Sequence, residues 1–466
     1  MLALLGANGG AAQAAGDPGL DLNDFVLRPV SNASSLQSTI AALKQELPSA
    51  GVNEILQNAP RTGQFTPLVC NENATAGTTP DHFNSSICFD DDDAGKNGTP
   101  EWEPQGVTGV ADADQDQTWG DPSGSWDPAQ HRPVMVSWYH MDADDAPDGS
   151  GAYTEIKGAR ISILDTATGK YAHVLLVYPF VNASGNASYM SLRTSEHLGA
   201  ASLHAGGIVW YGYKLYVADT DRGFRVFDLH DIMDLKAAGA DADLTDKSAI
   251  GRQSGTFYAH GYQYILPESG GWTNTACDDL TNAAGKPECD MQDGAKKCTA
   301  QDITPTTSFA SLDRTGSVRH IISGEFCAKA DADDAFTTGR VVRWPMETDG
   351  GVPQTDANGY WRADAAYRIP YLGSGQVSGN IQGAAVVNGK WYLSQSNGDG
   401  SGGTADLGHY LVATQPSGST GTLAYSTSLK QAIGIEDLSV WQQTNQTLLF
   451  TVTEWKNRRM IYFISL

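Results

Sequence analysis

The sequence has no apolar run near the roughly 20 residues that a transmembrane helix needs, and basic residues are scarce. The 30 lysines and arginines stand against 54 aspartates and glutamates, which gives a formal net charge of −24 at pH 7. This charge repels a phosphate backbone and an anionic lipid surface. We therefore expect neither nucleic acid nor a membrane as a partner.

The signatures of several enzyme classes are also missing. The chain contains no Gly-x-Ser-x-Gly nucleophile elbow, no phosphate-binding P-loop, no dinucleotide-binding glycine motif and no His-Glu-x-x-His zinc motif. No Cys-x-x-Cys pair is present either, which argues against a structural zinc site. None of these enzyme classes is therefore indicated by a local motif.

Long amphipathic helical patterns are nearly absent, whereas short runs of Val, Tyr and Phe recur between Gly and Asp. The clearest example is His204–Leu229, which holds three such runs separated by a Tyr-Gly turn and a polar loop. The pattern returns at Gln382–Ser394 and at Glu436–Val452. Runs of this length predict an antiparallel meander. A repeated meander is the blade of a β-propeller.

These patterns predict an all-β protein with three regions. Residues 133–466 are expected to form a six- or seven-bladed β-propeller, at roughly 45 to 55 residues per blade. Residues 31–132 are expected to be a mostly irregular N-terminal extension that wraps the propeller and contains a short helix over Ser34–Leu47. Residues 1–30 are interpreted as a flexible end or the remainder of a secretory signal.

An extracellular location is favoured by three features of the sequence. Six cysteines are present, an even number that suits disulfides, and Cys70 with Cys88 would form a local bridge. The apolar and alanine-rich start resembles a secretory signal. Asn-x-Ser/Thr sequons, which mark exposed loops if the host glycosylates, begin at Asn32, Asn73, Asn84, Asn97, Asn182, Asn186 and Asn445. We expect a secreted, monomeric glycoprotein.

Polar residues begin the first strand of several predicted blades. Gln382 and Glu436 coincide when the apolar runs are aligned, and His204 lies two residues earlier, which places it on the same face of a strand. His260 and His140 are further candidates. Because the first strands of a propeller line its central channel, these side chains are predicted to meet at the axis.

The chemistry of this axial set has three interpretations. Imidazole beside a carboxylate can transfer protons near neutral pH. Glu436, Asp437 and Gln382 could instead hold a divalent cation, for which Ca²⁺ is expected. Alternatively, the side chains only hydrogen-bond to one another and plug the channel. Acidic loops that could also hold Ca²⁺ lie at residues 90–93, 112–116, 142–148, 331–334 and 397–401.

The blade carrying His204-Ala-Gly-Gly-Ile and Leu-Tyr-Val-Ala-Asp-Thr, together with Gly434-Ile-Glu-Asp-Leu, resembles secreted β-propeller proteins. That group includes propeller polysaccharide lyases, rhamnosidase-like enzymes and calcium-dependent lactonases. The resemblance covers roughly residues 133–466. It implies that His204, His260, Tyr258 and Arg193 could abstract a proton beside a uronate carboxylate.

Three functions are therefore considered. The first is a secreted carbohydrate-active enzyme, of the polysaccharide lyase or glycosidase type, with His204, His260, Tyr258, Arg193 and Glu436 as catalytic candidates. The second is a calcium-dependent hydrolase of lactones or esters, with the ion held by Glu436, Gln382 and Asp437. The third is a non-catalytic extracellular binding protein. The expected partner is an extracellular glycan or a small-molecule substrate.

Overall fold

The structure is a computed structural model of the 466-residue chain. It describes residues 20–97, 100–114, 119, 132–141, 156–194, 201–275, 277–281, 287–289, 298, 305–327, 338–348, 350–373, 377–442 and 446–466. Strands dominate these residues, so the predicted all-β class is confirmed. No helix in these ranges is long and apolar enough to cross a membrane.

The helices are short. The α-helices of the described ranges are α1 (Ala33–Leu43), α2 (Val52–Gln57) and α3 (Val110–Ala113). Single 3₁₀ turns are found at Leu22–Asp24, Glu72–Thr75, Leu229–Asp231, Gly239–Asp241 and Gly403–Asp406. Helix α1 buries Leu36, Ile40 and Leu43 at helical spacing, which confirms the short helix expected in the N-terminal extension.

The strands are numbered in chain order. Those before residue 235 are β1 (Val26–Pro29), β2 (Arg61–Thr62), β3 (Gln64–Thr66), β4 (Phe83–Cys88), β5 (Trp102–Gly109), β6 (Pro133–His140), β7 (Ala159–Asp165), β8 (Lys170–Val181), β9 (Ala187–Ser191), β10 (Ile208–Tyr211), β11 (Lys214–Asp219), β12 (Gly223–Asp228) and β13 (Met233–Asp234). Those up to residue 370 are β14 (Ala242–Asp243), β15 (Ile250–Gln253), β16 (Thr256–Ala259), β17 (Tyr264–Asn274), β18 (Cys277–Thr281), β19 (Pro287–Cys289), β20 (Phe309–Asp313), β21 (Arg319–Gly324), β22 (Arg340–Met346), β23 (Trp361–Arg362) and β24 (Ala365–Arg368). The remainder are β25 (Ile381–Val387), β26 (Lys390–Gln395), β27 (Leu407–Thr414), β28 (Thr420–Thr422), β29 (Ala424–Ile433), β30 (Ile435–Gln442), β31 (Thr447–Thr453) and β32 (Ile461–Ser465).

Twenty of these strands form five antiparallel meanders, which we call blades 1 to 5. Their orders from the inside outwards are β5-β6-β7-β8, β10-β11-β12-β17, β20-β21-β22-β24, β25-β26-β27-β29 and β30-β31-β32-β4. The described residues therefore form a propeller of five blades. The predicted number of six or seven blades is not observed in them. The difference arises because several short strands, such as β14 to β16, belong to a separate small sheet.

The innermost strands of the five blades form a closed ring. Strand β5 contacts β10, β10 contacts β20, β20 contacts β25, β25 contacts β30, and β30 contacts β5. Each strand starts at the same mouth of the central channel and ends at the other. Residues that begin these strands are therefore brought together although they are hundreds of positions apart in the sequence.

The ring is closed by a strand from the N-terminal part of the chain. Strand β4 pairs antiparallel with β32, with Tyr462 opposite Ser86, and so completes blade 5. Strands β4 and β5 both precede residue 133, so the strands of the propeller begin within the segment that was expected to wrap it. The predicted Cys70–Cys88 disulfide is present beside β4, and a second disulfide joins Cys298 to Cys327.

Around the axis the strands approach too closely for most side chains. A Cβ added to Gly106 would lie 2.9 Å from Gly207 of the next blade, and one added to Gly383 would lie 2.7 Å from the amide nitrogen of Leu438. Real side chains cannot occupy such positions without moving the backbone. Glycine at these places therefore allows the five strands to converge.

Asp437 holds the equivalent position in β30 and fills the centre of the ring. Its Oδ2 accepts hydrogen bonds from the backbone N–H groups of Val107 and Ile208, each at 3.3 Å, and the N–H of Ala310 also bonds to this carboxyl. One side chain thus ties blade 5 to blades 1, 2 and 3. Burial raises the pKa of Asp437 well above its usual value because a charge there would be desolvated.

This contact predicts that Asp437 stabilises the closed ring. Asp437→Ala would leave several buried N–H groups without an acceptor, and we expect it to lower the free energy of unfolding by roughly 3 kcal/mol. Asp437→Asn keeps an oxygen acceptor and should lose clearly less. Urea unfolding followed by tryptophan fluorescence measures both variants. Equal stability of the alanine variant and the wild type would contradict this role.

Candidate functional site

The mouth at which the inner strands begin opens into a cavity of about 650 Å³, which we call the axial cavity. All five blades contribute to its wall. The contributions run in blade order: Gln105 from blade 1; His204 and Asp219 to Asp221 from blade 2; Ser308 and Phe326 from blade 3; Gln382 and Asn397 from blade 4; Glu454 and Trp455 from blade 5. The volume suits a ligand of one or a few sugar rings.

The three residues predicted to begin inner strands are brought together here. His204 and Gln382 both line the axial cavity, and Gln382 Nε2 donates to Glu436 Oε1 at 2.9 Å. Glu436 lies directly behind the wall and is only 1% exposed. The central geometric prediction, that His204, Gln382 and Glu436 meet at the axis, is therefore observed.

His204 forms part of the cavity wall beside an aromatic ring. Its imidazole packs against Tyr139 at a centroid distance of 4.5 Å, and the Tyr139 hydroxyl donates to Glu103 at 2.9 Å. The side chain is accessible from inside the cavity but is surrounded by protein. This desolvation lowers the pKa of His204 to about 4, so the imidazole is neutral at pH 7.

A residue that sequence reasoning missed is the most distinctive one in the site. Glu454 lines the axial cavity, accepts from Gln105 Nε2 at 3.3 Å, and hydrogen-bonds through its carboxyl to that of Glu436. Burial, with a further contribution from Glu103, raises the pKa of Glu454 to about 8. Burial and the neighbouring Glu454 also raise that of Glu436. Glu454 therefore holds its proton at neutral pH.

The other buried carboxylates at this mouth have an ion-pair partner. Asp219, at the end of β11, accepts from Arg225 Nε at 2.7 Å. Glu325, directly after β21, accepts from both Arg340 Nε at 2.7 Å and Arg340 NH2 at 2.6 Å. These arginines lie on the third strands of blades 2 and 3. Asp219 and Glu325 are thus each ion-paired with an adjacent guanidinium group.

Blade 5 places its arginine differently. Arg459 Nε donates to the backbone oxygen of Glu454 at 2.7 Å, and Arg459 NH1 donates to the backbone oxygen of Asp93 at 3.1 Å. The remaining NH2 group of Arg459 lies 3.9 Å from Glu103 Oε1, and the Glu454 carboxyl faces that of Glu436. The same mouth consequently offers a protonated acid, Glu454, on blade 5 and an ion-paired aspartate, Asp219, on blade 2.

The wall also has unused hydrogen-bonding capacity. Ser202 Oγ, Asn397 Oδ1 and Trp455 Nε1 are buried and have no hydrogen-bond partner among the described residues, and all three residues line the axial cavity. Phe326 is 41% exposed beside them. Aromatic surface next to uncommitted donors and acceptors suits a polyhydroxylated ligand such as a sugar.

Two of the predicted catalytic residues lie elsewhere. Tyr258 and His260 belong to the region of the small sheet β14-β16-β15, and His260 Nε2 contacts Ser191 Oγ at 3.0 Å while Nδ1 contacts the Lys247 backbone oxygen at 3.0 Å. His260 lines a separate cavity of about 480 Å³. His140, a further candidate, lies near it: burial lowers its pKa to about 3, with a smaller contribution from His260.

Arg193 is close to the axial cavity without lining it. Its backbone bridges to Ser202, and the neighbouring Thr194 is part of the wall. Among the described residues, the wall contains no lysine or arginine side chain. These wall residues therefore include no lysine or arginine that could pair with a uronate carboxylate.

The predicted metal ligands do not converge. Gln382 and Glu436 are bonded to each other, but the Asp437 carboxyl is occupied by backbone N–H groups in the channel. Within the described ranges, no group of three or more His, Cys, Asp or Glu side chains is arranged to hold a metal. Calcium stays a prediction.

Residues in or beside two of the acidic loops that were predicted as possible Ca²⁺ sites make contacts within the protein. Asp93 is ion-paired with Arg160 at 2.8 Å, and Asp406 accepts from the backbone N–H groups of Gly400 and Gly402. Loops 142–148 and 331–334, and Asp116, lie outside the described residues.

No family model and no curated protein matches this chain. Among solved structures it is similar to a GH43 β-xylosidase/α-arabinofuranosidase from a compost microbial metagenome, at 12% identity and a TM-score of 0.34, over 78% of this chain and 91% of that one. It is also similar to a GH43_1 enzyme from Xanthomonas citri (9%, 0.33, 92% and 93%) and a GH32 β-fructofuranosidase from Bombyx mori (10%, 0.32, 93% and 66%). None of the assignments in this site depends on these similarities.

The raised pKa of Glu454 predicts how stability depends on pH. The folded state keeps this proton up to about pH 8, whereas the unfolded chain releases it near pH 4.3. The folded state therefore binds more protons between these values, and this group makes the free energy of unfolding fall as pH rises. Glu454→Gln removes that contribution, so the variant should gain stability relative to wild type between pH 5 and pH 8.5.

Urea midpoints at the two pH values measure this difference. Glu347→Gln, which changes an exposed glutamate, is the matched control and should show the same pH dependence as the wild type. A Glu454→Gln variant whose stability follows the wild type in parallel at both pH values would show that Glu454 is already ionised at neutral pH.

Proposed function

We propose that this protein is a secreted glycoside hydrolase whose active site is the axial cavity. The observation that carries the proposal is that carboxyl groups in different environments lie at one mouth of the propeller. Glu454 is protonated at neutral pH. Asp219, which is ion-paired with Arg225, and Asp221 lie at the same mouth. Cleavage of a glycosidic bond needs one carboxylic acid and one carboxylate. A protonated Glu454 and an aspartate at the same mouth provide the two groups that this chemistry uses.

Each group has a role in the proposed reaction. Glu454 donates its proton to the glycosidic oxygen as the bond to the leaving sugar breaks. Asp221, which lines the cavity, provides the carboxylate that either activates water or attacks the anomeric carbon. Asp219 is a positioning residue: it is fixed by Arg225 and accepts from the backbone N–H of Asp221 at 3.2 Å. Glu436 hydrogen-bonds to the Glu454 carboxyl and holds it in place.

The wall of the cavity favours a neutral sugar. A glycan rich in uronate would bring negative charge to a protein of net charge −24, and the described wall residues include no cation to receive it. This favours a glycosidase over the lyase that the resemblance also allowed. His204, neutral at pH 7, then acts as a hydrogen-bonding wall group, with Gln382 and Asn397 as further contacts to hydroxyls.

The cellular location is part of the proposal. Two disulfides, Cys70–Cys88 and Cys298–Cys327, suit an oxidising compartment, and the sequons suit a protein that passes through a secretory pathway. We expect the protein in the culture medium of the producing organism.

Hydrolysis of a panel of 4-nitrophenyl glycosides and neutral oligosaccharides tests the function. Glu454→Gln should lower kcat about 100- to 10,000-fold on oligosaccharides, because their leaving group must be protonated. The loss should be much smaller on 4-nitrophenyl glycosides, whose leaving group departs without an acid. Asp221→Asn should instead lower kcat by a similar factor on both kinds of substrate.

Glu347→Gln is the control and should keep full activity. Failure of the wild type to cleave any neutral glycoside, or equal activity of Glu454→Gln and wild type on oligosaccharides, would overturn the proposal. Two further assays separate the alternatives. Release of unsaturated products from uronate polysaccharides would indicate a lyase, and ester or lactone hydrolysis that is lost with EDTA and restored by Ca²⁺ would indicate the metal-dependent hydrolase.

A further inference from the structure

The opposite mouth of the central channel contains a second, smaller pocket of about 250 Å³. It lies where the inner strands end, and we call it the far-mouth pocket. Blade 1 contributes Asp112, blade 3 contributes Arg314 and Arg319, and blade 5 contributes Gln442. The pocket is therefore a junction of blades that are distant in sequence, and it does not belong to the axial cavity.

The two arginines give this pocket its chemical character. Arg314 NH2 donates to the backbone oxygen of Asp112, and its guanidinium lies 5.2 Å from the ring centroid of Tyr211. Arg319 NH1 donates to the backbone oxygens of Arg314 and Gly316, at 2.8 and 2.6 Å. Both side chains are thus oriented by carbonyl groups, which hold a guanidinium without neutralising it.

The one carboxyl group among the described wall residues, that of Asp112, attracts Arg314 electrostatically but accepts hydrogen bonds from hydroxyl groups. Asp112 Oδ2 accepts from Thr108 Oγ1 at 2.9 Å and from Ser439 Oγ at 2.7 Å, so hydroxyl groups occupy it. The Nε atoms of Arg314 and Arg319 are buried and have no hydrogen-bond partner among the described residues. Asp112 and Asp114 attract the Arg314 guanidinium electrostatically, whereas Arg319 repels it. A bound anion would offset the repulsion between the two guanidinium groups and accept hydrogen bonds from their unused N–H groups.

From this arrangement we infer that the far-mouth pocket is a binding site for a small oxyanion. The ligand is a tetrahedral phosphate or sulfate, or the carboxylate of a small organic acid, each of which accepts hydrogen bonds from guanidinium groups. It would contact blades 1, 3 and 5 together and so stabilise the closed propeller. The site is a local inversion of charge in a protein whose net charge is −24, and it does not depend on the proposed function.

Thermal unfolding of the full chain with sodium sulfate, sodium phosphate and sodium acetate tests this inference. Each series is matched with sodium chloride at equal ionic strength. We expect the effective anion to raise the Tm of the wild type along a saturating curve, by about 3 °C at its plateau. Sulfate excluded from the protein surface would instead raise Tm in proportion to its concentration. The three series show whether a tetrahedral anion or a carboxylate is preferred.

The variants Arg319→Gln and Arg314→Gln should remove the saturating part of the curve. Arg362→Gln is the control, because Arg362 is an arginine on the surface that pairs with Asp356 at 2.6 Å and lies outside the pocket; it should keep the wild-type response. Isothermal titration of the wild type with the same three salts provides a measurement that does not require any variant to fold. The inference is overturned if no salt gives saturable heat or a saturating Tm curve, or if both pocket variants respond as the wild type does.

Discussion

The convergence of five inner strands on one axis is the constraint on which the rest of the molecule depends. Gly106 and Gly383 allow the strands to approach, and the Asp437 carboxyl bonds to backbone N–H groups of the facing blades. Because the strands start together, His204 and Gln382, which precede or begin two of them, line a common cavity. The axial cavity is therefore formed by the five blades of the closed ring themselves.

The chemistry of that space is decided by what lies on the third strand of each blade. In blades 2 and 3 an arginine on that strand binds the carboxylate at or just after the end of the second strand. In blade 5 Arg459, two residues before the third strand, donates to backbone oxygens and lies near Glu103, and Glu454 is left against Glu436. A single repeated architecture therefore places carboxyl groups in different environments.

The sequence predicts a good part of this arrangement. The all-β class, the propeller, and the meeting of His204, Gln382 and Glu436 follow from the repeated start of the inner strands. Glu454 follows the second strand of blade 5, so the pattern of residues that begin the first strands does not include it. The second strand of a hairpin ends at the mouth where the first begins, so Asp219 in Leu-Tyr-Val-Ala-Asp and Glu454 in Phe-Thr-Val-Thr-Glu carried the missing signal.

Other features could not be predicted from local patterns. Strand β5 contains Pro104 and Gln105 within an acidic, glycine-rich stretch, and β4 reads Phe-Asn-Ser-Ser-Ile-Cys; neither has a strong alternation, and both are defined by pairing with distant strands. His260 resembles the start of an inner strand but follows β16 of a small separate sheet. Pairing with distant parts of the chain determines the structure of these segments, and a single sequence does not show that pairing.

The protonation state of the Glu454 carboxyl at neutral pH tests the central claim most directly. Infrared difference spectroscopy between wild type and Glu454→Gln, recorded from pH 5 to pH 10, distinguishes the carboxylic acid from the carboxylate. The structure predicts a protonated carboxyl at pH 7 that ionises near pH 8. A carboxylate band from Glu454 already present at pH 6 would contradict the account.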